Sequence, residues 1–309
     1  MILIRRLFSG RNKFRAGSRA FPPRYLLLSI LAPIVLMSSS FFALRWCEYA
    51  LTFQPDRYQP GNSWALPERA EDVKFLNRDH ETLDAWFVHS SARTPLAVEP
   101  APTIIFFHGQ GGNISNVGWL GEKLASLGFD VLLVDYRGYG KSEGRIRDEQ
   151  DMYADADAAY DYVVNQRGTP ADRVILYGHS LGTTAVVDLA SRRSCAAIIL
   201  ESGLSCARDI ASVRLPWMPN WLRALGTNKF ESTKKLSSVF CPVLVAHGEP
   251  DNVVPTEEGR ALYLAANRPK RLIIVPGADH GVAGFGGDKY LLEVSEFIRY
   301  SLRGQSRAS

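Results

Sequence analysis

Five residues, Gly178-His179-Ser180-Leu181-Gly182, separate an apolar run at 174–177 (Val-Ile-Leu-Tyr) from a small-residue, apolar stretch at 183–190 with helical character. A strand that gives way to a helix within five residues must bend sharply, and flanking glycines permit a backbone approach that a side chain would block. The residue at the apex then stands clear of the sheet. Here it is a serine, so Ser180 is the candidate nucleophile, and the N–H of Leu181 is a candidate donor to charge developing beside it.

A serine hydroxyl is a weak nucleophile at neutral pH and needs an imidazole to take its proton, with a carboxylate orienting that imidazole. After the apolar run 243–246 comes His247-Gly248-Glu249-Pro250-Asp251, and after 272–275 comes Pro276-Gly277-Ala278-Asp279-His280. Both loops follow strand-like segments and open at the carboxyl edge of a sheet, where the Ser180 bend also lies. Asp251 is the expected acid and His280 the expected base. Asp251 as a mere cap for a helix starting near Thr256 is the plainer reading; Glu249 and Glu201 are the other carboxylates at suitable strand ends. Among the six histidines, His108, His179 and His247 each sit beside a glycine at a strand end and are expected to bond locally.

A second oxyanion donor is expected from the loop after 103–107, where His108-Gly109-Gln110-Gly111-Gly112-Asn113 brings main chain close to a substrate; the Gln110 N–H is assigned to it. A helix starting near Ile114 is expected to aim its N-terminus at the same anion. A dinucleotide loop would need G-x-G-x-x-G, and Gly109, Gly111 and Gly112 are spaced otherwise. Strands are expected at 73–76, 82–88, 103–107, 131–134, 174–177, 197–200, 243–246 and 272–275. Helices are expected at 117–127, 152–166, 183–192, 257–266 and 290–302. Their alternation calls for an α/β fold with a mostly parallel central sheet flanked by helices, the first two strands forming an antiparallel hairpin.

The chain resembles the α/β-hydrolase superfamily, and within it membrane-anchored serine hydrolases of the lysophospholipase-like and serine-aminopeptidase-like kind. Beyond the Ser180 bend, the resemblance rests on 108–113, on Asp135-Tyr136-Arg137-Gly138-Tyr139-Gly140-Lys141-Ser142, on His247-Gly248 with Asp251 and Val254-Pro255, and on Asp279-His280. It covers essentially everything from Phe53 onward. It implies a triad of Ser180, Asp251 and His280, an oxyanion hole of Gln110 and Leu181, and no cofactor or metal; segment 135–142 is expected to brace a loop. The reaction implied is hydrolysis of an ester or thioester through an acyl-enzyme, with a small-molecule acyl substrate. A peptidase would share every catalytic residue, and a non-catalytic membrane scaffold would need none of them.

The formal net charge of +4 suggests an acidic partner, but seven basic residues and no acids fall within 1–24, leaving 29 basic against 32 acidic residues elsewhere. Nothing points to nucleic acid. Residues 25–44 contain no Asp, Glu, Lys or Arg, and about 20 apolar residues suffice to cross a bilayer. The expectation is therefore a basic cytoplasmic leader (1–24), a single transmembrane helix (25–44), a surface tether (45–66) and a catalytic domain (67–303) on the non-cytoplasmic side, with a disordered tail (304–309). A cleaved signal peptide, with a core at 26–37 and a small-residue site at Ser38-x-Ser40, is the main alternative; twin-arginine and transit signals are weaker ones.

A cap insertion at 203–238 carries Trp217, Trp221 and Phe230. The two tryptophans are expected to pack the cap onto the sheet rather than to touch substrate. Cys47, Cys195, Cys206 and Cys241 are too scattered for a metal site or a disulfide framework. The resemblance puts the strands after Cys195 and Cys241 side by side, so a disulfide between those two is conceivable in an oxidising compartment. Oligomeric state is left open.

Overall fold

The computed structural model describes residues 23–91 and 101–305, and the chain divides into two compact units, Met1–Cys47 and Glu48–Ser309. The described residues begin with helix α1, Pro23–Thr52. Among the described residues no helix is long and apolar enough to cross a membrane. The single transmembrane helix expected at 25–44 is therefore not confirmed among the described residues. The leader lies outside the described residues up to position 22.

Strand formers then recur in short bursts: β1 Gln54–Pro55, β2 Ala70–Leu76, β3 Thr82–Val88, β4 Thr103–Phe107 and β5 Gly111–Gly112, followed by α2 Gly118–Ser126 and β6 Asp130–Val134. From there strand and helix alternate: α3 Glu149–Asp161, β7 Val174–His179, α4 Gly182–Ala190 and β8 Ala197–Glu201. The cap helices are α5 Ala207–Arg214, α6 Asn220–Arg223 and α7 Ser232–Leu236; β9 Val243–Glu249, α8 Thr256–Ala265, β10 Lys270–Pro276 and α9 Val282–Gln305 complete the fold. Among the described residues eight strands form one sheet, ordered β10-β9-β8-β7-β4-β6-β3-β2. β2 pairs antiparallel with β3 and β3 with β6; every other pairing in that sheet is parallel.

The central strands read as continuous apolar runs because both faces are covered. Ile105, Leu132, Leu176, Ile198 and Val245 face one core with Met152 of α3 and Val186 of α4, while Ile104, Leu133, Ile175, Ile199 and Leu244 face another with Leu124 of α2 and Val294 of α9. The expected hairpin and alternation are present. Three local details differ. The helix expected near Ile114 is a single 3₁₀ turn, Ile114–Asn116, and the α-helix starts at Gly118. The stretch after α3 winds as a π-helix, Tyr162–Gln166. α9 starts earlier than expected, with a non-helical break at Gly287 (φ 52°), and continues through Arg303 to Gln305, into the segment expected as tail.

The segment expected as a surface tether is built into the fold instead. Phe53 is buried against Phe230, and β1 pairs in parallel with β5 beside the loop after β4. The loop 135–142 is indeed braced: Arg137, fully buried, bonds Asp155 at 2.8 Å, Asp151 at 3.2 Å and Asp79 at 2.5 Å. Breaking one partner of such a buried ion network strands a charge in the core, at a cost of roughly 3–5 kcal/mol.

Candidate active site

At the end of β7 the chain reverses into α4, and Ser180 sits at the apex with φ +53°, a left-handed conformation rarely adopted by a residue with a side chain. The surrounding packing enforces it. A methyl group on Gly178 or Gly182 would collide with backbone, that of Gly182–Thr183 or that of Phe107–His108 respectively, so only glycine fits. The Ser180 N–H donates to the Glu201 carbonyl at 2.8 Å and its carbonyl accepts the Thr183 hydroxyl at 2.6 Å, which fixes the bend on both sides. Leu181 opens α4, whose N-terminus carries no side-chain cap, and the partial positive charge of the first helical turn lies beside the Ser180 side chain.

Asp251 leaves β9 and His280 leaves β10, and the two meet: His280 Nδ1 lies 2.8 Å from Asp251 Oδ2. Burial pushes the Asp251 carboxyl up, but hydrogen bonds from His247 and His280 and from backbone outweigh it and hold the group well below the usual carboxylate range. An ionised Asp251 can only accept, so Nδ1 of the imidazole is the donor in this contact, leaving Nε2 as the ring nitrogen not engaged by the carboxylate. The other Asp251 oxygen accepts the N–H groups of Val253 and Val254, closing a turn rather than capping α8, which starts after Pro255 without a side-chain cap. Glu249 instead pairs with Arg260 at the surface.

The His280 loop is tied to the Ser180 bend. The His280 carbonyl accepts His179 Nε2 at 3.1 Å and the Ser202 hydroxyl at 2.8 Å, and the rings of His179 and His280 are 4.9 Å apart. Burial lowers the His179 pKa, consistent with a neutral ring serving as a donor. Glu201, the other carboxylate at a strand end, does not reach His280. It accepts from the Tyr177 and Tyr290 hydroxyls and from the Ala283 N–H, pinning the start of α9 beneath the site.

The loop after β4 closes the opposite wall. A methyl at Gly109 would stand 3.3 Å from Ser180 Cβ, so this backbone lies directly against the serine. The Gly109 carbonyl accepts from His108 Nδ1 at 2.8 Å. In a trans peptide the C=O and N–H point oppositely, so anchoring that carbonyl turns the Gln110 N–H to the other side of the peptide plane. The Gln110 carbonyl is held by the Gln54 N–H at 2.9 Å and the Tyr139 hydroxyl at 2.8 Å. His108 Nε2 faces Asp135 Oδ1 at 3.4 Å.

Sequence reasoning missed two contributors. His247, expected to bond locally, does so to the Val254 carbonyl at 2.9 Å, but its Nε2 also lies 3.3 Å from Asp251 Oδ2. Gln54 was read as tether and in fact buttresses Gln110; a two-residue strand has no periodicity that could announce it. In the cap, Trp217 and Trp221 are 73% and 68% exposed, so they do not pack it onto the sheet; Phe230, 3% exposed, does.

The uncharacterized protein YfhR of Escherichia coli is 32% identical over 251 residues, covering 78% of this chain and 84% of its own. Alpha/beta hydrolase domain-containing protein 17B of Xenopus tropicalis is 31% identical over 257 residues, covering 79% of this chain and 85% of its own. This chain belongs to the α/β-hydrolase superfamily. The family model described as serine aminopeptidase, S33, matches residues 98–240 of this α/β-hydrolase. The esterase PF2001 of Pyrococcus furiosus shares its fold, with a TM-score of 0.63 at 19% identity over 81% of this chain and 98% of that one.

Proposed function

We propose that this α/β-hydrolase is a serine hydrolase that cleaves an ester or thioester bond. His280 Nε2 takes the proton of Ser180 as its oxygen attacks the carbonyl carbon, and the N–H groups of Gln110 and Leu181 receive the resulting oxyanion. His280 then gives the proton to the departing alcohol or thiol, leaving an acyl-Ser180; water, deprotonated by the same nitrogen, releases the acid. The reading is carried by the 2.8 Å bond between His280 and Asp251, on a loop tied to the strained Ser180 bend.

The match to the serine aminopeptidase model favours one further reading, a peptidase using the same residues. A panel of aminoacyl amides against short-chain and long-chain acyl esters and thioesters separates the two. With the ester reading, Ser180→Ala lowers ester turnover on the order of 10⁶-fold; undiminished turnover in that variant refutes both readings.

A further inference from the structure

Cys195 precedes β8 and Cys241 precedes β9, parallel neighbours in which Ile198 pairs with Val243 and donates its N–H to the Pro242 carbonyl. Their Sγ atoms are 3.2 Å apart, the Cys195 thiol directed at the Cys241 sulfur. Cys195 is buried and Cys241 partly exposed, next to the exposed Phe240. Both are free thiols, and the other two cysteines, Cys47 and Cys206, are not part of this contact. The pair stands at the amino ends of β8 and β9, whose carboxyl ends lead to Ser202 and Asp251, so it is remote from the proposed chemistry. Everything between the two sulfurs is β8 and the whole cap insertion, α5 to α7.

We propose that Cys195 and Cys241 form a dithiol that is oxidised by small-molecule disulfides and closes to a bond joining the amino ends of β8 and β9, across the segment that holds β8 and the cap insertion. Cys241, the accessible member, attacks one sulfur of the oxidant as a thiolate; the oxidant's S–S bond breaks, one thiol leaves with the proton, and a mixed disulfide remains on Cys241. Cys195 then loses its proton and attacks Cys241 Sγ, expelling the second small thiol. Two protein thiols are oxidised and one disulfide is reduced to two thiols, so the two electrons and two protons balance. The hydrogen bond to Cys241 and burial both push the Cys195 thiol up, which suits it to the second step, driven by proximity, rather than to the first. Closure constrains the unfolded chain around a loop that holds the whole cap.

The test uses full-length protein carrying Cys47→Ser and Cys206→Ser, incubated with oxidised glutathione. The expected product has lost two hydrogens and both alkylatable thiols, and peptide mapping joins Cys195 to Cys241. A protease cut inside the cap then leaves two fragments that separate only on reduction. Adding Cys195→Ser stops the reaction at glutathione on Cys241. Two thiols still alkylatable, or stable glutathione adducts on a protein that retains Cys195, overturn the proposal. Because the readout is the sulfur linkage and not turnover, it stands or falls separately from the proposed hydrolysis.

Discussion

Two histidine–carboxylate pairs lie at the carboxyl edge of this sheet, and their surroundings drive them in opposite directions. Asp251 and His280 stand at the rim, the imidazole one-fifth exposed, and donors converge on the carboxylate so that its pKa falls. Asp135 and His108 are sealed in the core, and there burial outweighs the contact with His108 and the Ile114 N–H, so the Asp135 pKa rises. Asp84, whose carbonyl accepts the Asp135 N–H, is pushed up to about 7, chiefly by burial and then by its acidic neighbours. Under the proposed function, the same two residue types serve as an ionised acid beside a base at the rim and as a strut behind the proposed oxyanion donor in the core. What separates them is the number of donors on the carboxylate and access to water.

The largest expected effect comes from making the rim pair unable to orient its base. Asp251→Asn should cut kcat by on the order of 10⁴-fold with the fold intact, since an amide can present its N–H to Nδ1 and favour the wrong tautomer. A drop of only a few-fold would erase the functional distinction between the pairs.

Next comes the core pair. His108→Leu removes the donor that holds the Gly109 carbonyl, and loss of one aligned oxyanion donor costs about 10²–10³-fold in kcat. KM should change little, because the interaction matters most once charge has developed. His108→Asn, whose amide nitrogen can stand in for Nδ1, should recover much of the loss. Equal activity of the Leu and Asn variants would show that the strut does not aim the donor.

The smallest effect is on stability, and the sign is opposite at the two sites. A carboxyl whose folded pKa lies below its unfolded value stabilises above pH 4 and loses that contribution as pH falls, as for Asp251. One whose folded pKa lies above it, as for Asp84, binds its proton more tightly when folded, so stability declines as pH rises from about 4 to 7 and is flat beyond. Urea unfolding of the Asp84→Asn variant between pH 4 and 8 should show the slope flattened; an unchanged slope would mean that another group dominates.

How much of this was legible in the sequence depended on how local the signal was. The Ser180 bend could be read because glycines two residues either side of the serine, between a strand and a helix, have few other uses. The Asp251 and His280 loops could be placed because each follows an apolar strand. The meeting of His247 with Asp251 could not, since it depends on how one turn folds back. Nor could the pairing of Gln54 with Gly111, which joins two residues from distant segments. Trp217 and Trp221 misled because large apolar side chains normally mark a packed face, yet both point to solvent. The membrane anchor expected at 25–44 is not confirmed among the described residues, and its first six positions, 25–30, belong to a stretch whose side chains lie outside them.

The account stands most directly on the cooperation of Ser180 with His280. Intact-mass and peptide mapping after brief exposure to a fluorophosphonate, run on the unaltered protein and on His280→Ala, tests it in one experiment. A single adduct on Ser180, formed orders of magnitude more slowly in the variant, is the predicted result; labelling at another residue, or equal rates in the two proteins, would contradict it.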